Sequence, residues 1–135
     1  MEHNITGLSV NMFVSNSEKA LEYYTSVFGA KIITARLGGE CGENNGLFTI
    51  GDYKFAVADE NIQYGSKSPT TLGGVTVCIQ LFVRDIKAVL SKALEKGGEI
   101  VAPSTKDTPI VEMDGGVQFC NIVDPFGHVW SITKA

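Results

Sequence analysis

Apolar and polar residues alternate over positions 7–14. Leu8, Val10, Met12 and Val14 face one way; Ser9, Asn11 and Phe13 face the other. A period of two predicts a half-buried strand. The period changes after Ser15, because Ala20, Leu21, Tyr24, Val27 and Phe28 recur at helical spacing. A helix should therefore start at Ser15-Asn16-Ser17-Glu18, which offers several caps, a Ser15/Glu18 capping box among them, and stop at Gly29. Residues 31–37 are rich in β-branched side chains and predict a strand. A glycine-rich connection at 38–46 leads to two short strands near 47–50 and 53–59.

The same order then recurs. Strand 75–83 places Val75, Val77, Ile79, Leu81 and Val83 on one face, with Thr76, Cys78, Gln80 and Phe82 on the other. Asp85 is placed to cap a helix whose apolar stripe is Ile86, Val89, Leu90, Ala93 and Leu94, ended by Gly97-Gly98. Strands follow near 99–103, 117–123 and 128–133, with a loop at 104–116. Val14 maps to Val83 and Gly29 to Gly98, a constant offset of 69 positions. An internal repeat of this kind implies two similar modules. The expected architecture is α+β: two tandem βαβββ modules forming a curved mixed sheet around a cleft, within one domain spanning 1–135. Module one covers 5–60, a polar linker 61–73, and module two 74–135.

Composition narrows the partners more than the chemistry. A net charge of −4 and the lack of any Lys/Arg cluster argue against a nucleic-acid or anionic-membrane surface. No apolar run approaches 18 residues, and the start Met1-Glu2-His3-Asn4 lacks the pattern of a secretory signal, so a cytoplasmic location is expected. Cys41, Cys78 and Cys120 are widely spaced and odd in number, which favours free thiols.

One face of each sheet must pack on its helix, and the apolar set of each first strand belongs there. The opposite faces carry Ser9, Asn11 and Phe13 in one module and Cys78, Gln80 and Phe82 in the other. Matched amides beside matched aromatics suit a concave site for a small organic molecule. The alternative is that both amides satisfy backbone groups at a module or subunit seam. Cys78 is a free thiol aimed at the expected cleft, with no His or Lys at a readable spacing to activate it. Asp59, Glu60 and Glu112 would serve as general bases only if they reach that cleft. Phe126 and Trp130 suit the core better than a ligand platform.

Three stretches carry a family resemblance: Ala20-Leu21-Glu22-Tyr23-Tyr24-Thr25-Ser26-Val27-Phe28-Gly29-Ala30, the run 83–98, and Asp124-Pro125-Phe126-Gly127-His128-Val129-Trp130. Together they resemble the vicinal oxygen chelate superfamily, which includes glyoxalase I, extradiol dioxygenases and the bleomycin and fosfomycin resistance proteins. The pairing of the tyrosine-rich run with the Asp-Pro-Phe-Gly run is most similar to the PhnB-like branch. The resemblance implies a homodimer, and in its metal-dependent members a ligand at four positions. These map here to Ser9, Cys78, Ser131 and a position within 55–58, so the usual donor set is missing and no cofactor is expected. His128 belongs to the signature turn and His3 to a terminus expected to be loose; neither is expected to be a ligand. The resulting expectation is a small-molecule binder contacting Ser9, Asn11, Phe13, Cys78, Gln80, Phe82 and Ser131. The rivals are a metal-dependent lyase, isomerase or dioxygenase, and a non-enzymatic structural or interaction protein.

Overall fold

A computed structural model describes residues 4–135, so His3 lies outside the described residues. The chain runs β1 (Val10–Val14), α1 (Ser17–Phe28), β2 (Lys31–Arg36), β3 (Asn45–Ile50) and β4 (Tyr53–Asp59). A 3-10 turn (Ile62–Tyr64) and a short α2 (Pro69–Leu72) follow. The second half has β5 (Ile79–Val83), α3 (Ile86–Glu95), β6 (Glu99–Ile100), β7 (Val111–Glu112), β8 (Gln118–Val123) and β9 (Val129–Lys134). No helix among the described residues is long and apolar enough to cross a membrane.

The strands form two mixed sheets of parallel design. Sheet one has the order β1-β4-β3-β2, and sheet two β5-β9-β8-β6 with β7 also on β8. In each, the first strand pairs in parallel with the last, and the remaining neighbours are antiparallel. The repeat seen as a spacing of 69 is thus a repeat of topology.

Several boundaries differ from the periodic reading. The strand expected over 7–14 begins at Val10, and Leu8, assigned to the core face, is 91% exposed. The strand expected over 75–83 begins at Ile79, leaving Val75 and Val77 exposed. Val75 and Val77 lie before the start of the partner strand β9, where no ladder can form; at Leu8 the partner β4 still continues to Tyr53, but the ladder already stops at Val10. Asn16, not Ser15, caps α1: its Oδ1 accepts the Lys19 N–H at 3.0 Å. Asp85 does the same for α3 through the Ala88 N–H at 3.1 Å. Helix α1 stops at Gly29, which adopts φ +69°, a left-handed conformation open to glycine. The linker 61–73 is not featureless, because Glu60 Oε1 accepts from Ser68 N–H and Thr71 Oγ1 and so fastens α2.

Both helices pack into one core with the inward faces of both sheets. Trp130 is fully buried, with its ring 4.5 Å from that of Phe28 and 5.3 Å from that of Tyr24. Phe48 and Phe55 stack beside it at 5.3 Å. Aromatic clustering of this kind adds directional contacts to the area that burial removes from water.

Asp124 joins the halves. Its Oδ2 accepts from Tyr24 Oη at 2.6 Å and from Trp130 Nε1 at 2.9 Å; its Oδ1 accepts the N–H groups of Phe126 and His128. Burial, reinforced by the Asp124 charge, holds the Tyr24 phenol well above its ordinary pKa, so it stays a hydrogen-bond donor. Tyr23 Oη reaches across to Ala93 O at 3.0 Å. The Asp-Pro-Phe-Gly-His-x-Trp run is therefore an inter-module clamp.

Candidate functional site

Period two fixes what each sheet shows on the side away from the helices. On sheet one, Asn11 and Phe13 stand beside Ala56 and Ala58 of β4, with Leu47 of β3 next in line. On sheet two, Gln80 and Phe82 stand beside Ser131 and Thr133 of β9, followed by Asn121 and Phe119 of β8. Sheet two's face holds a hollow assembled from several strands; its volume is about 280 Å³.

The floor of that hollow is Cys78, Gln80, Ser131, Thr133 and Asn121, and Phe119 stands at its side. Pro103, Met113 and Val117 form the walls. The walls exist because the edge strand breaks. Val101 N–H still bonds to Asn121 O at 3.0 Å, but Pro103 has no N–H to continue the ladder. Ser104 Oγ instead accepts the Asn121 N–H at 3.0 Å, so the chain leaves the sheet there. On the far side, the turn between β7 and β8 closes through Met113 N–H to Val117 O at 2.7 Å.

Two features of the floor bear on chemistry. Gln80 Nε2 donates to Thr133 Oγ1 at 3.1 Å, which fixes the amide in the plane of the sheet face. Asn121 Oδ1 is buried with no hydrogen-bond partner, while its Nδ2 makes only a 3.5 Å contact with Ala102 O. A buried acceptor without a donor is costly, so native structures hold few of them. Burial pushes the Cys78 thiol up, against a weaker opposing pull from the Ser131 N–H, and no cation stands by to form a thiolate.

Of the residues expected to touch a ligand, Cys78, Gln80 and Ser131 meet in this hollow. Ser9, Asn11, Phe13 and Phe82 do not line it. Ser9 lines a separate surface depression with Asp52, Tyr53 and Lys54, and Phe82 is 67% exposed outside the hollow. Phe13 contributes its backbone instead: its carbonyl accepts from His128 Nε2 at 2.9 Å. The residues missed fall into two groups. Thr133 follows the alternation of Ser131 and was readable from it, whereas Phe119 and Asn121 share its face through the β8–β9 register. Pro103, Met113 and Val117 sit in irregular backbone, where no period exists to read.

Two of the three carboxylates considered as bases are occupied elsewhere. Asp59 accepts the Ser17 N–H through Oδ1, and the N–H groups of Gly42 and Asn44 and the Asn44 amide through Oδ2. It thereby ties the glycine-rich connection to the first turn of α1. Glu60 fastens α2, and Glu112 does not line the hollow. A larger depression of about 540 Å³ lies over α1, where two of the polar side chains are engaged: Asn16 caps the helix and Tyr23 holds Ala93 O.

The metal expected of some relatives does not fit these residues. Ser9 is separated from Cys78 and Ser131, and the relevant face of β4 offers only Ala56 and Ala58. Among the described residues no three His, Cys, Asp or Glu side chains converge. Neutral hydroxyl and thiol groups do not make a divalent-cation site.

Comparison with known proteins agrees with the architecture. An uncharacterized protein of Mycobacterium bovis is 31% identical over 129 residues, covering 93% of this chain and 80% of the relative. The structure of a hypothetical protein from S. aureus superposes with a TM-score of 0.69 at 19% identity, covering 98% of this chain and 100% of that one. A mutant fosfomycin resistance protein from Listeria monocytogenes, complexed with Mn(II) and a dihydroxypropylphosphonic acid, gives a TM-score of 0.64 at 14% identity, covering 95% and 89%. The family profile matches residues 8–132, nearly the whole duplicated scaffold, and the chain belongs to the Glyoxalase/Bleomycin resistance protein/Dioxygenase superfamily.

Proposed function

We propose that this is a PhnB-like member of the superfamily that binds a small organic molecule, without a metal ion, in the hollow on sheet two. The observation that carries the reading is the hollow itself: neutral polar groups from three strands on its floor, and apolar walls raised by irregular backbone. A concave, largely apolar site with a few convergent polar groups is how small-molecule sites are built. The PhnB-like assignment rests on the tyrosine-rich run taken together with the Asp-Pro-Phe-Gly-His-x-Trp run.

The working form is a cytoplasmic homodimer. Phe13 and Leu47 share the outer face of sheet one and are 38% and 46% exposed, an apolar surface that a second copy would cover. A metal-dependent enzyme has in its favour the Mn(II) bound by the Listeria protein. It would require ligands that the matching positions here do not provide.

The test combines elemental analysis of the purified protein with a thermal-shift screen of small aromatic and cationic compounds. The expected result is metal-free protein whose melting temperature rises with particular compounds, a rise lost in Gln80→Leu. Stoichiometric metal would favour the enzyme instead. Indifference to every compound would leave an interaction protein.

A further inference from the structure

Resting on the reading of the hollow as a binding site, we infer that it takes an uncharged molecule of one or two rings that presents an N–H or O–H donor, and that it rejects ions of the same shape. Three observations converge on this chemistry. The first is charge. The floor and walls contain no Lys, Arg, His, Asp or Glu. An anion or cation entering a partly apolar hollow gives up water and finds no opposite charge, whereas a neutral molecule gives up little.

The second is size. A dry cavity of about 150 Å³ holds a benzene ring, and sites for drug-sized molecules start near 300 Å³. At about 280 Å³, this hollow suits one ring with a substituent, or two fused rings. Phe119 and Met113 offer such a ring an aromatic face and a polarizable sulfur.

The third is hydrogen-bond polarity. Gln80 has committed an N–H to Thr133 Oγ1, which leaves its carbonyl oxygen to accept. Asn121 Oδ1 is a buried acceptor with no donor, on a residue that lines the hollow. Its amide is held by a single 3.5 Å contact, while the Asn121 backbone is fixed by Ser104. The terminal torsion of Asn is broad, so the amide turns toward the hollow without moving the strand. Both amides then ask the ligand for donors, and an apolar molecule lacking one leaves Asn121 unsatisfied.

Four one-ring probes separate these terms: benzamide, methyl benzoate, benzoate and benzylammonium. Binding to the full chain is followed by NMR through the Met113 methyl signal. Benzamide is expected to bind about tenfold or more tightly than each of the other three. Asn121→Leu should reduce benzamide to the level of methyl benzoate and leave methyl benzoate unchanged. Gln80→Glu, which keeps the size of the side chain, should shift preference toward benzylammonium. Equal binding of neutral and charged probes, or a benzamide preference that survives in Asn121→Leu, overturns the inference while leaving the hollow as a binding site. If no probe moves the Met113 signal, the binding reading falls and the inference with it.

Discussion

On sheet one, Asn11 and Phe13 lie beside Ala56 and Ala58; on sheet two, Gln80 and Phe82 lie beside Ser131 and Thr133. The strand order is the same, and so are the amide and the aromatic of the first strand. Two differences follow. Sheet two is polar where sheet one has methyl groups, and its edge is broken. In module one, five of the six residues of β2 pair with β3, the ladder being interrupted by a bulge near Ile33. Its counterpart β6 has two residues before the chain departs through Pro103. The long edge strand resumes pairing after its bulge, while the short one gives way to irregular backbone whose Pro103 lines the hollow. Duplication supplied the scaffold, and loss of regularity in one copy supplied the hollow.

Asp124→Ala tests whether the two modules are joined as described. It strands the Tyr24 and Trp130 donors in the core, so unfolding in urea should show a loss of about 3–5 kcal/mol. A wild-type midpoint would mean the halves are held together elsewhere. Next in size is a contrast between two tight glycines. A Cβ at Gly98 would lie 2.6 Å from Tyr23 Oη and 2.8 Å from the Ala93 carbonyl, which cannot easily move. At Gly46 the obstacle is the Leu21 Cδ1 methyl at 2.7 Å, the end of a flexible side chain. Gly98→Ala should cost about 1–3 kcal/mol and Gly46→Ala less, as read by thermal melting. Equal costs would remove the distinction.

Asp59 gives module one a pH dependence. Burial by itself would raise its pKa, but hydrogen bonds from Ser17 and Asn44 outweigh that and hold it below the ordinary carboxylate value. A folded pKa below the unfolded one contributes stability at neutral pH that is lost as pH falls through the folded value. Asp59→Asn should therefore be less stable than wild type at pH 7, with the gap closing below the ordinary carboxylate pKa of about 4. A gap that stays constant with pH would show that the charge is immaterial. The smallest effect is expected from Ala56→Ser combined with Ala58→Thr, which gives sheet one the polar pattern of β9. With no wall above it, that face should still fail to bind benzamide. Binding there would mean that polarity, and not the broken edge, makes the site.

How much of this was legible beforehand varies from element to element. Both helices, their stops, the Asp85 cap and the face assignments of Asn11 and Gln80 follow from period and local chemistry, while Ser131 was placed by the family resemblance. The pattern overran at Leu8 and at Val75 and Val77, because alternation records what a segment would do if paired, and pairing depends on a distant strand. At the start of α1 local chemistry offered both Ser15 and Asn16, and the offset of 69 from Asp85 falls on Asn16, the residue that caps.

By itself the chain determined its duplication and its strand faces, because these depend on residue type and on spacing within a segment. Only the tertiary structure decided that the two matched faces are unequal. The height of Pro103, Met113 and Val117 above sheet two is set by bonds between residues far apart in the chain, such as Ser104 with Asn121. No local period carries that information.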